Sequence, residues 1–286
     1  MRFERLDMPA LRLGEGPVWD ERRGVVFLCD IDGERLHAVD PARGALRDWP
    51  FEARVCSIGL CDSGRLLIAL AREIILFDPE TGARQSLAAL DEPARHRFND
   101  GKAGPDGRFY VGTMDSGPER GPHATLYRFD PATGLAPVKR GIIVSNGLAW
   151  SPDGTAMIHT DSGAQWIDRH AFDPATGAVG PARRIATPGE AMGRPAGGAC
   201  DALGRYWSAG VSAARLNVYD LDGALREVHP VPCNAPTMPC FCGPNLTTLL
   251  VVSHQLTSKP GDPHAGGVYV ARADVAGASV ARLRGL

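Results

Sequence analysis

Apolar residues along this chain come in short blocks, each entered through a turn rich in Asp and Gly, and the pattern repeats. The turn-plus-block unit begins at Asp20 (DERRGVVFLCD), Asp62 (DSGRLLIAL), Asp106 (DGRFYVGTM), Asp153 (DGTAMIHTD), Asp201 (DALGRYWSAG) and, in degenerate form, Pro244 (PNLTTLLVVS), at intervals of 42, 44, 47, 48 and 43 residues. A second signal alternates with the first, an apolar or aromatic run closed by a turn that ends at Gly44, Gly82, Gly134, Gly177 and Gly223. In its D-P-x-T-G form, Asp and Pro start the turn and Gly closes it. No stretch sustains a helical period, and helix-like runs such as Leu87–Ala94 fit loops between units. Each unit therefore predicts about four short strands. A period near 45 residues with four strands is the size of a propeller blade, so the chain is expected to be all-β, a six-bladed β-propeller. A closed ring needs its N-terminal segment to pair with the last blade. A β-sandwich with fortuitous spacing is the competing fold.

Composition alone points elsewhere. A length of 286 residues, at about 150 per domain, suggests two domains. Gly and Pro together make up 57 residues, too much turn punctuation for a helical bundle, and 44% hydrophobic residues are too many for disorder. Six units of about 45 residues nearly exhaust the chain, so residues 1–286 are expected to form a single propeller domain. A net charge of −2 without a basic patch or arm argues against nucleic acid and anionic membranes as partners. The N-terminal MRFERLDMPALRLGEG has no apolar signal core, and the longest apolar runs, such as Leu66–Ala71, are strand-sized. A cytoplasmic location and a monomer or weak homo-oligomer are expected. The seven cysteines, odd in number and irregularly spaced, read as free thiols; Cys240 and Cys242 lack partners at zinc spacing.

Aligned by their turns, the units share one position. It is occupied by Glu15, Cys56, Asn99, Asn146, Ala196 and, loosely, Pro239. In units two to five it lies eight residues before the turn glycine, and in the first unit nine. This segment reads as the innermost strand, which lines a propeller's channel, so equivalent positions converge there. Glu15, Asn99 and Asn146 would then offer one carboxylate and two amide oxygens to a common point. Hard oxygen donors suit Ca²⁺ or Mg²⁺, and less decisively Mn²⁺ or Zn²⁺. The alternative is that Glu and Asn at strand starts serve only their local turns.

These residues sit in LGEGPVWD (13–20), RFNDGKAGPDGRFYVGTMD (97–115), SNGLAWSPDG (145–154), GRPAGGACDALGRYW (193–207) and GGVYVA (266–271). On these motifs the chain resembles the senescence marker protein/gluconolactonase family, which includes regucalcin and bacterial sugar lactonases. The resemblance implies a six-bladed propeller with one divalent metal ion in the channel, Ca²⁺ first, with Zn²⁺, Mn²⁺ and Mg²⁺ as alternatives. It implies that Glu15 and Asn146 ligate the metal and that Asn99 reaches metal or substrate. Arg97 would hydrogen-bond a small-molecule sugar lactone through its fixed donor fork. Met114 would line the substrate pocket, and Glu119 is the nearest match to a pocket acid.

The chain departs from the family at one point. The fifth-blade motif P-D-G, whose Asp is metal ligand and general base, is here Pro195-Ala196-Gly197. Alanine neither coordinates a cation nor takes a proton. Loss of that carboxylate would drop the charge at the metal from −2 to −1. Asp201 falls in the blade's own turn and is not expected to substitute. The expected function is therefore metal-dependent hydrolysis of an aldonolactone, strongly impaired in this chain by Ala196. The alternatives are a non-catalytic propeller that binds a sugar lactone or metal, a propeller that recruits proteins on its rim, and a metal-dependent esterase or phosphotriesterase. His159, Thr160, Asp161 and Ser162 lie along one strand, where alternate side chains diverge, and are not expected to form a triad. His254 is placed near the channel mouth, and His96 and Lys102 are expected to be exposed. Trp19, Trp150 and Trp207 read as packing between blades.

Overall fold

The turn signals fold as their chemistry demands. The Asp78 carboxylate accepts hydrogen bonds from the backbone N–H groups of Glu80 (2.8 Å) and Thr81 (3.3 Å), and Gly82 closes the turn at φ 78°. That positive φ is the conformation glycine adopts most cheaply. Between such turns the computed structural model, which describes residues 1–256 and 261–286, forms six four-stranded antiparallel sheets.

The sheets are consecutive in sequence. Blade 1 comprises Gly14–Asp20, Val25–Asp30, Arg35–Asp40 and Gly44–Pro50, and blade 2 Val55–Leu60, Leu66–Leu70, Glu73–Phe77 and Arg84–Ala89. Blade 3 is built from His96–Ala103, Phe109–Asp115, Ala124–Asp130 and Gly134–Ile142, and blade 4 from Ser145–Trp150, Ala156–Asp161, Trp166–Ala171 and Arg183–Ala186. Blade 5 contains Pro195–Cys200, Tyr206–Gly210, Arg215–Tyr219 and Leu225–Pro230. Blade 6 takes Pro236–Cys242, Thr248–Ser253 and Tyr269–Arg272 from the end of the chain and its outermost strand, Glu4–Arg5, from the beginning. The fold is a six-bladed β-propeller closed by its N-terminal segment, with Glu4 opposite Val270 and Arg5 opposite Tyr269. One expectation is corrected here: Leu87–Ala89 belong to the outer strand Arg84–Ala89, because an exposed edge strand needs no alternating pattern.

Burial falls from the channel outward. The first two strands of blade 2 are buried throughout, whereas its outermost strand is exposed or half-buried. Blades seal against one another through aromatic contacts: Tyr110 of blade 3 meets Trp150 of blade 4 edge-on at 5.3 Å, and Trp207 of blade 5 meets Phe241 of blade 6 at 5.4 Å. All seven cysteines are free and buried. No helix among the described residues is long and apolar enough to cross a membrane.

The C-terminal segment crosses one mouth of the channel. Ala278 N–H donates to Cys200 of blade 5, Leu283 N–H to Leu60 of blade 2 and Arg284 N–H to Gly107 of blade 3. Arg282 anchors the crossing by donating to the fully buried Asp20 carboxylate at 2.6 Å, which Arg23 also meets at 2.8 Å. Burial would raise the Asp20 pKa, but the two guanidiniums outweigh it and hold the carboxyl below its ordinary range. Arg282→Ala leaves that buried charge with one partner. A loss of about 2–3 kcal/mol in urea unfolding is expected, under the usual cost of stripping a buried pair because Arg23 stays. Below the Asp20 pKa the difference between variant and parent should vanish, since the protonated carboxyl no longer needs the second cation.

Candidate functional site in the channel

All six innermost strands break their pairing near their start. The register shifts between Glu15 and Val18, Val55 and Ser57, Phe98 and Gly101, Asn146 and Ala149, Pro195 and Gly198, and Pro236 and Met238. A bulge inserts unpaired residues and re-aims side chains. Here it does so once per blade at one level of the channel. Glu15, Cys56, Asn99, Asn146 and Ala196 lie at these bulges, so the shared position is a shared structural feature. In blade 6 the structure corrects the alignment: the bulge spans Thr237, two residues before Pro239, and the Thr237 hydroxyl donates to the Gly14 carbonyl.

The convergent side chains are buried and mostly tied. Asn146 Oδ1 accepts from Gly147 N–H at 3.0 Å and its Nδ2 donates to Ser162 Oγ at 3.2 Å. Ser162 Oγ donates to Pro195 O at 2.6 Å and Thr160 Oγ1 to Ala196 O at 3.3 Å, linking the fourth-blade position to the fifth. Asn99 Nδ2 donates to Ser145 O at 2.9 Å, and its Oδ1 accepts from Arg97 Nη1 at 2.9 Å. Arg97 also donates to Phe98 O at 2.7 Å, and the residue across the ladder from it is the buried Met114. Ala196 is buried and brings no polar side-chain atom. Glu119 lies exposed on the blade 3 loop that follows Met114 and makes no hydrogen bond among the described residues.

Glu15 is different. It is 8% exposed, and its Oε2 has no hydrogen-bond partner. Burial, reinforced by the nearby Asp100 carboxylate, pushes its pKa up from 4.5 to about 8. Asp100 is the site residue that the repeat alignment missed. Its pKa is raised by burial, its Oδ2 accepts from Leu148 N–H at 2.9 Å, and its Oδ1 is an orphan. The same bulge is held from the other side by Tyr206, whose hydroxyl donates to Gly147 O at 2.9 Å. Gly147 itself has φ 64°, and a Cβ there would fall 2.4 Å from that hydroxyl, so only glycine fits. Asp100 thus brings a second carboxylate near Glu15.

Lys102 is not exposed as expected. Its ammonium donates across the channel to Gly198 O at 2.9 Å, where its charge bears on both Glu15 and Asp100. Such a cation is stable inside because the channel carries the compensating carboxylates. His96 is likewise buried, with Nδ1 bonded to Glu92 at 2.8 Å. Beyond Lys102, toward the mouth crossed by the C-terminal segment, lies a cavity of about 420 Å³ lined by Ala103, Trp150, Cys200, Cys240 and Val280 among others. It sits at the opposite ends of the inner strands from Glu15, Asn99 and Asn146. Two further expectations resolve as structure. Asp201 is engaged by Arg205 (2.7 Å) and Trp207 Nε1 (2.9 Å) in its turn. His159 turns to Ser145 Oγ at 2.8 Å, while Asp161 caps the backbone of Ile143 and Val144. Both Ser145 and His159 are completely buried, so the pair meets no substrate.

A cation fits this set on chemical grounds. Orphaned carboxylate oxygens on Glu15 and Asp100, flanked by the amide oxygens of Asn99 and Asn146, are hard donors whose burial without a counter-charge is costly. Asp100→Asn keeps an acceptor for Leu148 N–H and removes one charge. The Glu15 titration, followed by carboxyl carbon NMR, is expected to move to lower pH in that variant. An unmoved titration would mean that burial alone raises Glu15.

Residues 13–255 match the model of the SMP-30/gluconolactonase/LRE-like region. The chain is similar to the pentonolactonase of Haloferax volcanii, 34% identical over 97% of this chain and 93% of that protein. It is also similar to the 6-deoxy-6-sulfogluconolactonase of Pseudomonas putida, 32% identical over 93% and 92%. Among solved structures it resembles a calcium-binding regucalcin of Agrobacterium tumefaciens, with a TM-score of 0.90 at 26% identity over 99% of this chain and 97% of that one.

Proposed function

This chain belongs to the SMP-30/gluconolactonase/LRE-like family, and from that premise we propose that its channel binds a sugar lactone beside a divalent cation, with ring-opening hydrolysis strongly impaired by Ala196. The observation that carries the proposal is the unpartnered Glu15 carboxylate oxygen at the level of the channel where Asn99 and Asn146 converge. Glu15, Asn146 and Asn99 would hold the cation, with Asp100 adding a second carboxylate nearby. When bound, a hard divalent cation supplies Lewis-acid polarisation of the lactone carbonyl. Ca²⁺ suits an all-oxygen set best, and Mg²⁺, Mn²⁺ or Zn²⁺ can be accommodated by the same residues.

The remaining work falls to the chain itself. Arg97, already braced on Asn99 and Phe98, keeps donors free to hold the lactone's oxygens, and Met114 gives the sugar ring an apolar wall. Asp100 and Tyr206 fix the bulge that carries Asn146, so that the amide oxygen does not swing on binding. Ring opening needs a water to lose its proton as it attacks the carbonyl. A carboxylate at position 196 would take that proton; alanine cannot. Glu15 is engaged as a cation ligand and Lys102 is cationic, so neither replaces it. The lactonase names of the relatives support the substrate class, and their names are the reason to prefer it over other esters.

Ala196 also favours a second reading, a propeller that binds its lactone without turnover. Calorimetry separates the two when paired with assays of Ala196→Asp. Binding together with restored turnover marks an enzyme that has lost its base. Binding with no turnover in the folded, cation-loaded variant marks a binding protein.

A further inference from the structure

The cavity at the far mouth of the channel has a chemistry of its own. Pro17, Pro105, Pro239, Trp150, Phe241 and Val280 stand in its wall. Three of these are prolines, which carry no backbone N–H. Residues 278–281 of the C-terminal segment close it on one side. Pro152, Asp153 and Ser279 at its edge are exposed, so the cavity opens to solvent between a turn of blade 4 and that segment.

The polar groups of the wall are one-sided. Lys102 is its only cation, and Gly198 O, at 2.9 Å, is the only hydrogen-bond partner of the ammonium among the described residues. An ammonium has three donors, so two are left. The indole Nε1 of Trp150 is buried and has no partner either. The acceptors, by contrast, are occupied. Asp153, the only acid of the wall, accepts from Ser151 Oγ at 2.5 Å and from Thr155 Oγ1 at 2.9 Å. Ser151 Oγ in turn accepts from Ala156 N–H at 2.9 Å. Burial pushes the thiols of Cys200 and Cys240 up to about 12, with the Lys102 charge pulling the other way, so both stay protonated. What remains is a positive charge and unmet donors within apolar surface, an arrangement that costs energy until an acceptor arrives.

The ligand that complements this wall accepts hydrogen bonds, carries one negative charge and is otherwise apolar. A sugar lactone does not suit it, because hydroxyls laid against proline and aromatic carbon would lose their partners. We propose that the cavity is a second small-molecule site, separate from the channel site at Glu15, and that it takes a monocarboxylic acid with a compact apolar body, the carboxylate meeting the Lys102 ammonium. That contact is a charge-assisted hydrogen bond, and Trp150 and Phe241 cover the body. A volume of about 420 Å³ suits such a ligand, since small-molecule pockets run from about 300 to 1,000 Å³.

The test titrates the intact chain calorimetrically with 3-phenylpropanoate and with its uncharged isostere 3-phenylpropanamide. The acid is expected to bind at one site per chain, about tenfold more tightly than the amide. Lys102→Met keeps most of the side-chain length and removes the charge, and should bring the acid down to the affinity of the amide. The parent protein supplies an independent measurement: with labelled valine methyls, nuclear Overhauser contacts are expected between the ring protons of the bound acid and Val280. Failure of the acid to bind, or equal affinity of the parent for acid and amide, overturns the proposal. A preference for the acid that survives in Lys102→Met overturns the assignment to Lys102. A bound acid that makes no contact with Val280 lies elsewhere in the molecule, and overturns the cavity as its site.

Discussion

Ala196→Asp should raise the rate of lactone hydrolysis by this chain more than any other single substitution. The substitution places a carboxylate at the bulge level of blade 5, the level at which Glu15, Asn99 and Asn146 already meet. Gly197 and Gly198 follow it directly, so the strand carries no side chain at the next two positions. General-base assistance is typically worth about 10²–10⁴-fold, and a gain in kcat of that order is expected with cation present. The gain should require both changes together: Ala196→Asp combined with Glu15→Gln should fall back to the parent's rate, because the base is then present without the principal cation ligand. The measurement is lactone ring opening followed by proton release, corrected for spontaneous hydrolysis. A folded, cation-loaded Ala196→Asp protein that hydrolyses no faster than the parent would contradict the role given to position 196.

The second large effect is on stability. Glu15 holds its proton up to about pH 8 in the folded, cation-free protein, whereas in the unfolded chain it releases it near the ordinary value of 4.5. The folded state therefore binds the extra proton in that interval. The Glu15 contribution to stability therefore falls as pH rises from about 5 to 8 and levels off beyond, with an upper limit of about 5 kcal/mol from the size of the shift. Below about pH 6.5 it is opposed by the buried histidines His37, His159, His170 and His254, whose lowered pKa values make stability rise with pH. A divalent cation that takes the proton's place reverses the trend, so added Ca²⁺ should raise Tm far more at pH 8 than at pH 5. Glu15→Gln has no proton to lose. Its cation-free Tm should lack the fall that Glu15 causes and be higher than the parent's at pH 8, and Ca²⁺ should no longer raise it. A parent and a Glu15→Gln variant with the same slope between pH 5 and pH 8 would remove Glu15 from the centre of the site.

The blades were readable in the sequence because every turn carries its own local chemistry and every unit repeats it. Asn99 and Asn146 were readable for the same reason: a fixed distance from a turn glycine is a fixed height in the channel. Asp100 was not. Two-residue alternation sends neighbours to opposite faces, and only the bulge between Phe98 and Gly101 lets adjacent residues both face the site. Lys102 was misplaced because a lone lysine is most often solvated, and of the two carboxylates that make its burial tolerable, Glu15 comes from another blade and Asp100 faces it only through the bulge. Thr237 was missed by two positions because blade 6 lacks the D-G turn from which the others could be aligned.

The cation site is tested most directly by an anomalous difference map from crystals of the parent protein equilibrated with saturating Mn²⁺, a scattering stand-in for Ca²⁺. One peak is expected in the channel, bounded by the carboxylate of Glu15 and the amide oxygens of Asn99 and Asn146. A channel without a peak, or a peak only at residues elsewhere in the molecule, would contradict it.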